Sequence, residues 1–280
     1  MTQRTWLITG ISSGFGRHLT EQLLEQGNRV AGTVRNVDVV NDLKTKYGDS
    51  LWVAKLDVTD TPAIHQVVHS AFHDLGNIDV VVNNAGYGLF GAAEELTDEQ
   101  IRHQLDTNLI GSIQVVRAAL PYFRTQGFGR IIQLSTVGGQ VAFPGSSLYH
   151  ASKWGIEGFA ESLMTELAPF NIGITIVEPG SASTNFRYGS SQLAPKMEAY
   201  EASPAAYARR IIEEAKVPSL GDPAKMVTIM INSVDQNPAP KRIVLGSDAY
   251  VNIHKALTER LAILEAQKEL AFSTDFPIHK

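Results

Sequence analysis

The chain has 280 residues and a mass of 30.5 kDa, with 44% hydrophobic and 19% charged residues, which excludes intrinsic disorder over most of its length. It has no cysteine, so disulfides, Cys-ligated zinc, iron–sulfur clusters and thiol nucleophiles are excluded. A net charge of −5 and a pI of about 5.9 argue against a general binder of nucleic acid or anionic membranes. The segment Met1–Gly10 runs into a strand-like pattern with no signal-peptide character, and no apolar run approaches the roughly 18 residues of a membrane span. The expectation is a soluble, cytoplasmic α/β protein that forms one domain over residues 1–280.

Short β-branched runs alternate with longer helical patterns. Thr5–Thr9 predicts a strand, followed by a helix over Gly14–Gln26 with Leu19, Leu23 and Leu24 on one side. Arg29–Val34 and Leu51–Leu56 predict the next two strands, and Pro62 opens a helix, since proline suits a first turn. Ile78–Val82 predicts the fourth strand, and one long helix is expected from Asp98 to Phe123. Arg130–Ser135, a helix over Ser147–Ala168, and the strand Ile172–Val177 follow, the last stopping at Pro179-Gly180. Residues 181–206 carry no regular pattern and are expected to form a mobile substrate loop with short helices. Lys241–Leu245 predicts a seventh strand, and 247–270 a final helix with Ser247 or Asp248 as its cap. Strands that are apolar on both faces belong to a parallel sheet covered on both sides, so the predicted fold is a doubly wound α/β (Rossmann-type) sheet of seven strands.

Thr9-Gly10-Ile-Ser12-Ser13-Gly14-Phe15-Gly16 lies between the first strand and the first helix. Glycines there permit a tight turn and close approach of backbone to a pyrophosphate, and the helix N-terminus adds amide donors. The spacing is neither Gly-x-Gly-x-x-Gly nor a Walker loop. Tyr149 and Lys153 are one helical turn apart on one face, so an ammonium beside the phenol would lower its pKa and let it serve as general acid or base. A hydroxyl beside the substrate oxygen would stabilise developing charge, and Ser135 or Thr136 is placed for it.

Taken in order, this turn, Asp57-Val58, Asn83-Asn-Ala85-Gly86, Asn108, Ser135-Thr136, Tyr149-His-Ala-Ser-Lys153, Pro179-Gly180 and Thr184 resemble the short-chain dehydrogenase/reductase family over roughly residues 4–185. Val137-Gly-Gly139 and the final helix look most like its branch with hydroxysteroid and retinol dehydrogenases and their bacterial relatives. The resemblance implies a nicotinamide-dependent carbonyl reductase or alcohol dehydrogenase. It implies that Lys153 also holds the nicotinamide ribose and that Asn108 orients a water for proton relay. It implies that Asp57 and Val58 meet the adenine, that Asn83, Ala85 and Gly86 line the adenine ribose, and that Pro179, Gly180 and Thr184 hold the nicotinamide end. It also implies a homodimer or homotetramer, with Phe159, Leu163 and Leu167 either at the interface or in the core. Alignment through Val137-Gly138-Gly139 puts Thr136 at the catalytic hydroxyl position, with Ser135 as the alternative.

The second strand ends Thr33-Val34-Arg35, with no acid to bind a ribose 2′-hydroxyl. A guanidinium suits a 2′-phosphate, so the expectation is NADP(H), with NAD(H) kept open. The segments expected around the substrate carry Tyr87, Leu89, Phe90, Val141, Phe143, Phe186, Tyr188, Leu193, Met197 and Tyr200, an inventory that suits a hydrophobic ketone, aldehyde or secondary alcohol. His65, His69 and His73 flank a buried stripe and read as a solvated face, so no metal is expected. Glu94-Glu95, Asp98-Glu99 and Glu213-Glu214 read as helix-end or surface charges, and no Gly-x-Ser-x-Gly supports a serine hydrolase. Two further readings stand beside the dehydrogenase. One is a cofactor-sensing protein without catalysis, which would be expected to lose the Tyr/Lys pair. The other is a nucleotide-sugar epimerase or dehydratase, which would show a different glycine spacing.

Overall fold

The computed structural model describes residues 3–214 and 218–276, and the backbone alone of Arg187 and Tyr188. Seven strands form one parallel sheet: β1 (Thr5–Thr9), β2 (Arg29–Val34), β3 (Leu51–Lys55), β4 (Val80–Asn83), β6 (Gly129–Leu134), β7 (Ile172–Pro179) and β9 (Arg242–Leu245). Their order is β3-β2-β1-β4-β6-β7-β9, the doubly wound arrangement expected from strands that are buried on both faces. The order reverses between β1 and β4, so a crevice opens there at the C-terminal ends of the strands.

Alternation along each strand sorts the core into two layers. Trp6, Ile8, Val80, Val82, Ile132 and Leu134 face one side, packed under α1 (Gly14–Glu25), α2 (Asn41–Tyr47) and α8 (Pro223–Ser233). Leu7, Val81, Ile131, Ile174 and Ile176 face the other, under α3 (Thr61–Leu75), α5 (Gly111–Gln126) and α6 (Ser147–Leu167). Leu163 and Leu167 are buried in this second layer and Phe159 packs against it, so all three serve the core.

Several expected boundaries shift for local reasons. The long helix over Asp98–Phe123 is divided: α4 (Asp98–Leu105) and α5 are joined by a π-helical turn over Asp106–Ile110. The turn brings Asn108 inward, a use typical of such bulges. The last helix is likewise two, α9 (Ser247–Ala266) and α10 (Lys268–Phe272), and its cap is Gly246 rather than Ser247 or Asp248. The carboxylate of Asp248 is instead occupied by the amide of Ser181, 2.7 Å away. His65, His69 and His73 are exposed, and among the described residues no group of side chains is arranged to hold a metal ion. No helix among the described residues is long and apolar enough to cross a membrane.

The stretch over 181–206 carries more structure than its composition suggests. Ser191–Leu193 (β8) pairs in parallel with Gly88–Phe90 (β5), and α7 (Ala206–Glu214) follows. A buried ion pair ties this layer down. Glu95 accepts from the amides of Ala92 (2.8 Å) and Met197 (3.0 Å), and Arg209 on α7 lies 3.4 Å from it while donating to the Ala194 carbonyl at 2.9 Å. Burial raises the Glu95 pKa, but those amides and the Arg209 charge outweigh it and leave the carboxyl ionised. Arg209→Ala therefore leaves the Glu95 carboxylate with its two amide donors but without its cation, which loosens this layer. The expected outcome is faster hydrogen exchange and proteolysis confined to residues 181–214, with the sheet core unchanged; uniform protection throughout would contradict it.

Candidate active site

The crevice between β1 and β4 continues under α7 as one cavity of about 650 Å³. Its floor is the glycine turn. Gly10 (φ +75°) and Gly14 (φ +57°) hold left-handed conformations that a side chain would strain. Gly10, Ser12, Ser13, Gly14 and Phe15 line the cavity, whereas Gly16 does not. Gly16 packs so tightly on the Gly10 carbonyl and the Asn84 amide that a Cβ could not enter, which is why it is glycine.

Of the Asn83-Asn-Ala-Gly86 segment, Asn84, Ala85 and Gly86 line the cavity. Asn83, expected there, is buried beneath it: its amide donates to the Ser112 carbonyl and the Gln133 side chain, both at 3.0 Å. Successive strand residues face opposite ways, and Asn84 is the one turned to the crevice. Asp57 and Val58 line one end, together with Arg35 and Val34. No hydrogen bond or ion pair to another side chain is found for Arg35 among the described residues, and its charge helps hold the Asp57 carboxyl below its usual pKa, against burial and alongside the bonds from Thr59. Pro179, Gly180 and Thr184 line the other end.

Tyr149 and Lys153 stand on one face of α6, both buried. Lys153 Nζ donates to the Leu134 carbonyl at 2.9 Å and lies 5.9 Å from the centre of the Tyr149 ring. The expected lowering of the Tyr149 pKa by this ammonium is not what the surroundings produce. Burial pushes the phenol up, and only its hydrogen bond with the Thr136 hydroxyl pulls the other way. Burial also lowers Lys153, to about 8.

The two candidate hydroxyls point apart, as neighbours at a strand end do. Thr136 is directed to Tyr149 and to the Pro179 carbonyl, 3.3 Å away. Ser135 touches the cavity but donates its hydroxyl to Glu157. Asn108 lies outside the cavity wall; its amide oxygen accepts from the Tyr87 amide at 3.0 Å, and its nitrogen donates to the Tyr87 carbonyl at 2.8 Å and to Ser152 at 3.3 Å.

Above Tyr149 the cavity is aromatic. Phe90 and Phe186 flank its ring at 5.8 Å and 6.0 Å between centres, and Tyr87 and Phe143 also line the wall. Leu89, Val141, Leu193, Met197 and Tyr200 do not reach it, and the Tyr188 side chain lies outside the described residues. Sequence reasoning missed His150, whose burial lowers it to about 4 and leaves a neutral ring accepting from the Phe143 amide. It missed Ile211 and Ile212 as well, which line the cavity from the amphipathic helix α7.

The family model for short chain dehydrogenases matches residues 4–193. The chain belongs to the short-chain dehydrogenase/reductase family. It is an oxidoreductase of that family, whose named relatives include Oxidoreductase BOA17 of Botryotinia fuckeliana, 34% identical over 97% of this chain and 99% of that one. A short-chain dehydrogenase crystal structure from Streptomyces avermitilis superposes with a TM-score of 0.91 at 35% identity, covering 98% of this chain and 99% of that chain. The closed form of a serine dehydrogenase complexed with NADP+ superposes at 0.71 with 27% identity, covering 86% of this chain and 93% of that chain.

The orientation of the two hydroxyls yields a direct test. Thr136→Ala is expected to lower kcat strongly, by roughly 100-fold if the hydroxyl stabilises the reacting oxygen. Thr136→Ser should keep activity, because the donor remains. Ser135→Ala should be much milder. Steady-state kinetics of the three variants decide it, and a dead Ser135→Ala beside an active Thr136→Ala would reverse the assignment.

Proposed function

We propose that this dehydrogenase uses NADP(H) to interconvert a hydrophobic ketone or aldehyde and its alcohol, with Tyr149 as general acid and base. The observation that carries the reading is the meeting of Tyr149, Lys153 and Thr136 at the junction of a glycine-turn crevice and an aromatic cavity. The residues present fit a dinucleotide. Open backbone at Gly10 and Gly14 and the N-terminus of α1 suit a pyrophosphate, and Arg35 in the cavity wall suits a 2′-phosphate. The nicotinamide would supply or accept the hydride. The serine dehydrogenase complexed with NADP+ supports the same choice of cofactor.

Each residue then has a defined task. Thr136 turns its single hydroxyl proton to the substrate oxygen beside Tyr149. Tyr149 gives its proton to that oxygen during reduction and takes it back during oxidation. Lys153 offers its ammonium to the phenolate left behind, which buried surroundings otherwise disfavour. Phe90, Phe186 and Phe143 exclude water and accept an apolar body. Asn108 keeps the Tyr87 backbone fixed through its side-chain amide. The proposal takes residues 1–280 as one cofactor-and-substrate unit. It includes assembly as a homodimer or homotetramer, for which exposed Tyr250, Leu257, Leu261 and Leu264 on α9 offer apolar surface.

Tyr149→Phe is expected to lose at least roughly 100-fold in kcat with NADPH binding intact. Lys153→Ala should lose turnover and bind the cofactor more weakly. Absorbance at 340 nm with a panel of aldehydes, ketones and alcohols checks both, and near-normal turnover by Tyr149→Phe would overturn the mechanism. Tight NADPH binding with no turnover on any compound would favour a sensor instead.

Arg35→Ala should raise KM for NADPH far more than KM for NADH. A wild-type kcat/KM that favours NADH would refute the cofactor assignment.

A further inference from the structure

One turn beyond Lys153 on α6, and on the same face, stands Glu157. It is buried, as Lys153 is. Both side chains grip the end of β6. Lys153 bonds the carbonyl of Leu134, and Glu157 accepts from the hydroxyl of the next residue, Ser135. The other Glu157 oxygen accepts from Arg242 at 2.6 Å, and a Cβ on Gly139 would run into the carboxylate. Glu157 is therefore fixed from β6, from β9 and from the segment after β6.

The charges around it do not balance through Arg242 alone. That single guanidinium serves three carboxylates: Glu157, Glu161 at 2.8 Å and the fully buried Glu178. Burial raises Glu178 toward the neutral acid even though Gln140 and Arg242 bond it. Arg242 is thus shared among three carboxylates, and Lys153 is the next cation on the same helix face as Glu157.

We propose that Glu157 is a positioning residue for the proton chemistry at Tyr149: its buried carboxylate keeps Lys153 in the cationic form. This rests on the reading of Tyr149 and Lys153 as the acid–base pair. Burial works against the ammonium, and Glu157 is the charge that opposes it. The other ionisable groups around Lys153 are differently placed. Tyr149 is the phenol it serves, and His150 beside it is neutral at physiological pH. Glu178 from β7 and Arg242 from β9 lie behind Glu157, and Asp248 from α9 is committed to the Ser181 amide. Removing the Glu157 charge would let Lys153 lose its proton near or below neutral pH. The phenolate formed when Tyr149 gives up its proton would then have no cation beside it.

The test titrates Lys153 directly, without substrate. Protein carrying 13Cε-lysine gives one NMR signal that is absent from Lys153→Met, and that signal should titrate below the other lysines. Glu157→Gln keeps the shape and an acceptor for Ser135 but removes the charge. It should move the Lys153 midpoint down by roughly one pH unit. Glu157→Asp, which retains the charge further back, should fall in between, and it carries the test if Glu157→Gln does not fold. Glu161→Gln, on the exposed side of Arg242, should leave the midpoint where it was. In turnover, the alkaline limb of kcat for carbonyl reduction should move down with the Lys153 midpoint in Glu157→Gln. A merely structural role would lower stability or kcat without moving either. An unmoved Lys153 signal in Glu157→Gln, or in Glu157→Asp if that is the variant that folds, overturns the proposal. Activity retained by Tyr149→Phe would instead overturn the acid–base reading, so the two failures are distinguishable.

Discussion

A parallel sheet ends in backbone groups with no strand to meet them, and this enzyme depends on how they are closed at the gap between β1 and β4. The Asn84 side chain does it. Its amide donates to the carbonyls of Thr9 and Gly10, each at 2.8 Å, while the Thr9 hydroxyl accepts from the amides of Asn84 and Ala85 at 3.0 Å. Those bonds join the end of β1 to the end of β4 and fix the glycine turn against the next segment. Gly16 then packs on the same carbonyl, which sets where α1 begins. The crevice, the N-terminus of α1 and the path of the chain into the substrate wall all follow from this one clasp.

Further along the same edge, burial rather than charge pairing governs ionisation. Tyr149 is raised, Lys153 lowered and His150 held neutral, each chiefly by loss of water. Such surroundings suit a proton donor, because the phenol stays protonated and water cannot compete for the bonds around it. They do not suit a phenolate, the form the proposed mechanism leaves behind. The groups available to stabilise it are the Thr136 hydroxyl and the ammonium of Lys153. In the proposed mechanism the charges behind Lys153 therefore bear on the chemistry even though they lie away from the cavity.

The architecture was legible in the sequence because each strand is a short apolar run and each helix carries a clear stripe. β1, β2 and the start of α6 fall on the predicted residues. The helix over Asp98–Phe123 was read as continuous because a π turn leaves the apolar periodicity almost intact; its signature is instead Asn108, a polar residue turned into the core. Of the site, the cavity gathers Gly10, Ser12, Ser13, Gly14, Phe15, Arg35, Asp57, Val58, Ala85, Gly86, Tyr149, Lys153, Pro179, Gly180 and Thr184. Asn83, Asn108 and Gly16 fall outside it. A motif gives spacing but not which of two adjacent asparagines faces the crevice, and it does not separate a glycine that touches a ligand from one that touches backbone.

What stayed illegible lies on the substrate side, where contacts join residues far apart in the chain. Glu95 read as a helix-end charge, and only the fold brings Arg209 to it across more than a hundred residues. Asp248 read as a helix cap, and only the fold brings it to Ser181, in the segment that follows Gly180 in the cavity wall. Both carboxylates hold segments of the cavity wall to the body of the protein. That division makes physical sense. Periodic patterns encode burial against near neighbours, which builds the sheet and its helices. The walls that select a substrate depend on single polar contacts without a period, and those contacts can change without disturbing the sheet beneath them.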